Sequence, residues 1–114
     1  MIVQEINITV LSGNISDVIY SRTATKGDDV CSFTIYIDKD REHTTLVRVN
    51  IFGPLTLMCK DREMQKGDFV IVEGEMMNRV LKNTKDVVLE VRCRDIKIFK
   101  TQSRTIIKEE GVTA

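Results

Sequence analysis

The sequence contains no tryptophan, one proline, one histidine and no net charge, and its aromatic residues are four Phe and two Tyr. The single proline and six glycines exclude collagen-like and low-complexity chains. No stretch approaches the roughly 18 apolar residues that a membrane-crossing helix needs. The start lacks a basic region followed by an apolar block, so no secretory signal is expected. Zinc is not expected either, because His43 stands alone and Cys31, Cys59 and Cys93 are far apart. Set among apolar neighbours, these cysteines read as free core thiols in a reducing compartment. No histidine or nucleophile is set beside an acid, and there is no phosphate-binding glycine loop or metal-spaced acid cluster. The expectation is a protein that is not an enzyme and needs no cofactor or metal.

What remains is an ordinary globular composition, 42% hydrophobic and 30% charged, in 114 residues, which is one domain's length. The zero net charge argues against a large non-specific nucleic-acid footprint, yet the charge is unevenly placed. Residues 1–78 carry eight basic and twelve acidic side chains. Residues 79–108 carry nine and three, and Glu109 and Glu110 restore the balance. One part of the fold is therefore basic, either as a track for a phosphate backbone or as a solvated charge run.

Strand signals dominate the chain. Ile6, Ile8 and Val10 alternate with polar residues as in a half-buried strand, Gly13 permits a sharp bend, and Ile15, Val18 and Ile19 add apolar anchors. "TKGDD" at 25–29 is a turn. "VCSFTIYI" at 30–37 is a second strand with Phe33, Ile35 and Ile37 on one side and Thr34, Tyr36 and Asp38 on the other. The polar run 38–44 is a hairpin loop. In "LVRVNIFG" at 46–53, Val47, Val49 and Ile51 face inward, opposite Leu46, Arg48, Asn50 and Phe52. Pro54 opens a helix of about three turns over 55–65, ended by Lys66-Gly67-Asp68. A fourth strand covers 69–76, a loop 78–86 and a fifth strand 87–93. Apolar parity then switches before Ile96, which predicts a bulge at Arg94 and Asp95. Phe33, Phe69 and Phe99 are expected in the core, while Tyr20 is open to either side. Three strands, a helix and two strands predict an all-β, five-stranded OB-fold barrel with one short helix between strands 3 and 4. The bend at Gly13 lets the first strand serve two sheets.

Four motifs in order carry a resemblance: "LSGN" at 11–14, Phe52-Gly53 ending the third strand, "KGDFVIVEG" at 66–74 and "LEVRCRDIKIF" at 89–99. Together they resemble the bacterial-type single-stranded DNA-binding proteins over roughly residues 4–100. After Lys100 the apolar rhythm fades, so 101–114 reads as a flexible C-terminal tail, frayed or partner-facing. The resemblance implies an OB-fold single-stranded DNA-binding domain over 1–100. It also implies a homo-oligomer, tetramer favoured and dimer possible. Family members stack bases on tryptophans at about three places, which here hold Arg41, Leu46 and Val80-Leu81. Of the usual aromatic platforms only Phe52 is kept, and Tyr36 on the same outward side is a partial substitute. The family's acidic, phenylalanine-tipped tail is also absent from "KEEGVTA". The chain is thus similar to diverged phage, plasmid or organellar members, or to the short primosomal branch.

The candidate nucleic-acid-binding set is Tyr36, Arg41, Arg48, Phe52, Arg79, Lys82, Lys85, Arg92 and Arg94. Phe52 and Tyr36 offer stacking faces and Arg48 a phosphate contact or a guanidinium plane. Arg79, Lys82 and Lys85 are mobile loop cations, Arg92 and Arg94 add positive surface on strand five, and Arg41 contributes from the earlier loop. The expected function is non-sequence-specific binding of single-stranded DNA in replication, recombination or repair. Expected partners are single-stranded DNA, further copies of the chain and replication or recombination proteins, with no membrane. The expected location is the cytoplasm, at the nucleoid or in the host of a phage or plasmid. An alternative is an OB-fold protein-interaction or primosome-type accessory subunit, and single-stranded RNA stays open as a ligand.

Overall fold

The computed structural model describes residues 3–22, 29–40 and 43–100. Its elements are β1 (Thr9–Arg22), β2 (Asp29–Asp40), β3 (His43–Phe52), α1 (Pro54–Asp61), β4 (Phe69–Val80) and β5 (Val87–Phe99). The strands pair in the order β1-β2-β3-β5-β4 and close back on β1, so the chain forms the expected five-stranded barrel of the OB type. Every pairing is antiparallel except β3 with β5, a short parallel seam at Val49–Val91 and Asn50–Arg92.

A closed barrel needs each strand to pair on both sides, and β1 manages this by dividing its length. Thr9 to Asn14 pair with β4, and Asn14 to Arg22 pair with β2 through a ladder whose register shifts between Ile15 and Asp17. The handover falls beside Gly13, where the backbones come so close that a Cβ would lie 2.5 Å from the Tyr36 carbonyl oxygen. Glycine is needed there for room rather than for an unusual dihedral angle. Gly74, opposite Thr9 where the β1–β4 ladder ends, is tighter still, with the Arg92 carbonyl 2.0 Å from its missing Cβ. The β4–β5 register slips at this point, passing from Glu73–Asp95 to Gly74–Cys93 and leaving Arg94 as the extra residue. That is the bulge the parity switch predicts.

The barrel interior is filled by side chains of one parity from each strand, among them Ile15, Phe33, Ile35, Val49, Ile51, Val70, Val72 and Val91, all fully buried. Five expectations need correction. Ile6, Ile8 and Val10 are not half-buried, for Ile6 is 82% and Ile8 69% exposed and the strand begins only at Thr9. The inward parity is that of Leu11, Gly13 and Ile15, so the alternation marked the outer side. Phe69 and Phe99 are outside the core too, with Phe99 half-exposed and the rings 6.0 Å apart against each other.

The helix is also shorter than expected, ending at Asp61. Glu63 takes a left-handed conformation with φ of 54°, its N–H donates to the Lys60 carbonyl, and the Met64 N–H donates to the Cys59 carbonyl. These two bonds make a Schellman turn, with Met64 buried beside Cys59 as its apolar anchor. Tyr20 fastens the same turn, its hydroxyl donating to the Met64 carbonyl at 2.9 Å. The expected 38–44 loop is largely ladder, with Asp38 paired to Thr44 and Asp40 to His43. Finally, β4 runs on to Val80, so the expected 78–86 loop is a tighter turn over 81–86. The turn at 25–29, apart from Asp29, and the tail at 101–114 lie outside the described residues.

At the base of the barrel the buried Asp68 joins three parts of the chain. It accepts from the Gln65 N–H at 3.0 Å and from Lys100 Nζ at 2.7 Å, and Lys100 also donates to the Glu63 carbonyl. Cys31, Cys59 and Cys93 are free and buried, and burial pushes their thiols up to about 12, 11 and 12.

Three outcomes follow from this packing. Gly13→Ala, forcing a methyl against a main-chain oxygen, should cost about 1–3 kcal/mol in chemical denaturation. The thiols should resist alkylation in the native protein at neutral pH and react once it is unfolded. Because their folded pKa values lie above the ordinary value of 9.0, the stability they contribute is complete below that pH. It should fall as pH rises from 9.0 towards 12, measurable as a declining midpoint of thermal unfolding.

Candidate nucleic-acid interface

Strand alternation puts a continuous strip of side chains on the outer face of β2, β3 and β5. Across the β2–β3 ladder, Tyr36 stands opposite Leu46, Thr34 opposite Arg48, Ser32 opposite Asn50 and Val30 opposite Phe52. The parallel seam then sets Arg92 beside Asn50. Gly53 follows Phe52 and turns the chain into α1, which leaves Phe52 at the end of its strand and 43% exposed. Two clefts of about 300 and 270 Å³ meet along this strip and share Asn50, Phe52, Arg79 and Glu90 as walls.

The strip combines one aromatic face with three guanidinium groups. Arg92 lies over the Phe52 ring, its Cζ 5.2 Å from the centroid, a cation–π contact worth about 0.5–1 kcal/mol at an exposed site. Arg48 donates to the Thr34 hydroxyl at 3.4 Å and stands 3.9 Å from Asp17. Both contacts are long and the side chain is partly exposed, so this cation is available to a ligand. Arg79 reaches across the hairpin to bond Glu90 through Nε. The Ser32 hydroxyl donates to Asn50 Oδ1 at 2.7 Å, which orients the Asn50 amide. Stacking surface, fixed amide and cations side by side can hold an unpaired base and its phosphates.

Of the candidate residues, the structure brings Arg48, Phe52, Arg79 and Arg92 together at the two clefts. Tyr36 is on the same face but farther along, half-buried beside the exposed Leu46. Lys82 and Lys85 are exposed in the β4–β5 turn beyond Arg79. Arg94 faces outward but lines neither cleft, and its guanidinium donates to Glu75 at 2.8 Å. Arg41 lies outside the described residues. Sequence reasoning missed Ser32, Asn50 and Glu90 as parts of the site. The first two share the outward parity of Phe52 and Tyr36, which is the signal that finds them. Glu90 shares the parity of Arg92, but its burial depends on a partner 11 positions away.

A comparison with curated proteins finds no match. The family model for the single-strand binding protein family matches residues 6–99, a span that takes in every strand of the barrel, the helix and both clefts. With the barrel, its bulge and its aromatic–arginine strip in that span, the chain belongs to the single-strand binding protein family.

Proposed function

We propose that this protein binds single-stranded DNA without sequence preference and protects an unwound strand during replication, recombination or repair. The observation that carries this reading is Phe52, exposed on the outer strip with Arg48, Arg79 and Arg92 around it. Stacking accepts any base and guanidinium groups accept any phosphate, so the strip favours single strands over sequence. The protein acts by binding alone, without catalysis or a cofactor. Residues 1–100 serve as the binding domain, and the protein works in the cytoplasm.

The outer apolar residues Ile6, Ile8 and Val10, with Val87 and Leu89, support assembly into a homo-oligomer, a tetramer or a dimer. The same exposed residues favour the second reading, an accessory subunit that docks on replication proteins and binds nucleic acid weakly.

Titration with a fluorescent oligo-dT of about 35 nucleotides, beside a duplex of equal length, separates the two. Binding should be confined to the single strand. Phe52→Ala should weaken it by about 1–3 kcal/mol. Arg48→Ala should flatten the plot of log affinity against log salt by about 0.7, one phosphate's share on a single strand. With few aromatic platforms, binding should depend steeply on salt. No binding at low salt would leave the accessory-subunit reading.

A further inference from the structure

Among the described residues, Glu90 is the only acid that lines the two clefts, and it is 5% exposed. By Coulomb's law alone, a carboxylate in the floor of a surface for a polyanion has the wrong sign. Its bonding suggests why it is there. It engages Arg79 through Nε, and the Arg79 side chain is still 56% exposed against 7% for that of Glu90. A guanidinium carries five N–H donors in one rigid plane, so a bond at Nε fixes the tilt of the plane and leaves the terminal nitrogens outside the contact. The anchor is itself firm. Glu90 stands in the β4–β5 ladder opposite Met77, and Arg79 bonds it from two positions along the neighbouring strand.

We propose that Glu90 is a positioning residue that holds Arg79 by Nε, so that the terminal guanidinium nitrogens form a preset seat for one backbone phosphate beside the base stacked on Phe52. The inference rests on the single-stranded DNA reading above. An exposed arginine that must be ordered on binding loses side-chain entropy at that moment, and one already fixed by a buried carboxylate has lost most of it in folding. The seat therefore contributes directed hydrogen bonds from a cleft wall that does not rearrange.

The sign of one measurement tests this. In oligo-dT titrations, Glu90→Ala should weaken binding about two- to tenfold although it removes a negative charge. Glu90→Gln keeps an acceptor for Nε and should recover most of the loss. In an Arg79→Ala background, Glu90→Ala should have no further effect. Tighter binding by Glu90→Ala and Glu90→Gln would mean that the carboxylate merely repels phosphate, and would overturn the proposal. An undiminished loss in the Arg79→Ala background would overturn it as well. Should Glu90→Ala not fold, NMR of the wild-type protein gives the answer. The Arg79 Nε proton should be protected from exchange in the free protein, and the terminal nitrogens should shift on saturation with oligo-dT. An unprotected Nε or unmoved terminal nitrogens would refute it. If the wild-type protein does not bind oligo-dT, the functional reading itself fails. If it binds and the Glu90 variants match it, this inference alone fails.

Discussion

The close approach of backbones at the corners of the barrel is the constraint on which everything else rests. Five strands close only if β1 leaves β4 and joins β2 within a few residues, and it does so where Gly13 admits the Tyr36 carbonyl. Gly74 provides a matching concession on β4 against Arg92. The second corner bears directly on the candidate ligand face, because the bulge beside Gly74 restores inward parity to Ile96 and Ile98 while Arg92 stays outward next to Asn50. The position of an arginine in the strip is thus a consequence of how the barrel closes.

The strip gathers several chemistries onto one face of a chain with few aromatic residues. One exposed ring is flanked by Arg92 and backed by the Ser32–Asn50 hydrogen bond, and the cations come from three different strands. Each guanidinium has a different tether: a ring for Arg92, a hydroxyl and a distant acid for Arg48, and a buried carboxylate for Arg79. Three tethers of different stiffness give one face both fixed and adjustable donors.

Much of this was legible in the sequence, and the reasons for success and failure differ by residue. In β2 and β3 one parity is apolar throughout while the other carries Ser32, Thr34, Arg48 and Asn50, so Phe33, Ile35, Val49 and Ile51 could be assigned inward, and with them the outward set that includes Phe52. In β1 both parities carry large apolar residues, and alternation alone cannot say which set faces the interior. Ile8 and Val10 alternate as a half-buried strand would yet face outward, whereas Leu11 and Ile15 pack inside. The helix end was hidden because Glu63, not a glycine, adopts the left-handed turn, stabilised by burial of Met64. The Arg79–Glu90 contact depends on hairpin register, which an uncertain loop boundary left undefined. Single-strand periodicity reports faces well; it does not report which residues of different strands meet.

The Lys100 latch has a mechanical meaning. Without it, tension on the chain beyond this residue would peel β5 from β4 one hydrogen bond at a time, starting at Phe99. With Nζ bonded to Asp68 and to the Glu63 carbonyl, the load enters the junction between α1 and β4 instead. Asp68 is tied in turn to β1, since its carbonyl accepts the Ile15 N–H at 2.8 Å. A pull is then shared among three elements that must shear together, so a tugging partner would move the barrel as a body before it unravelled the last strand.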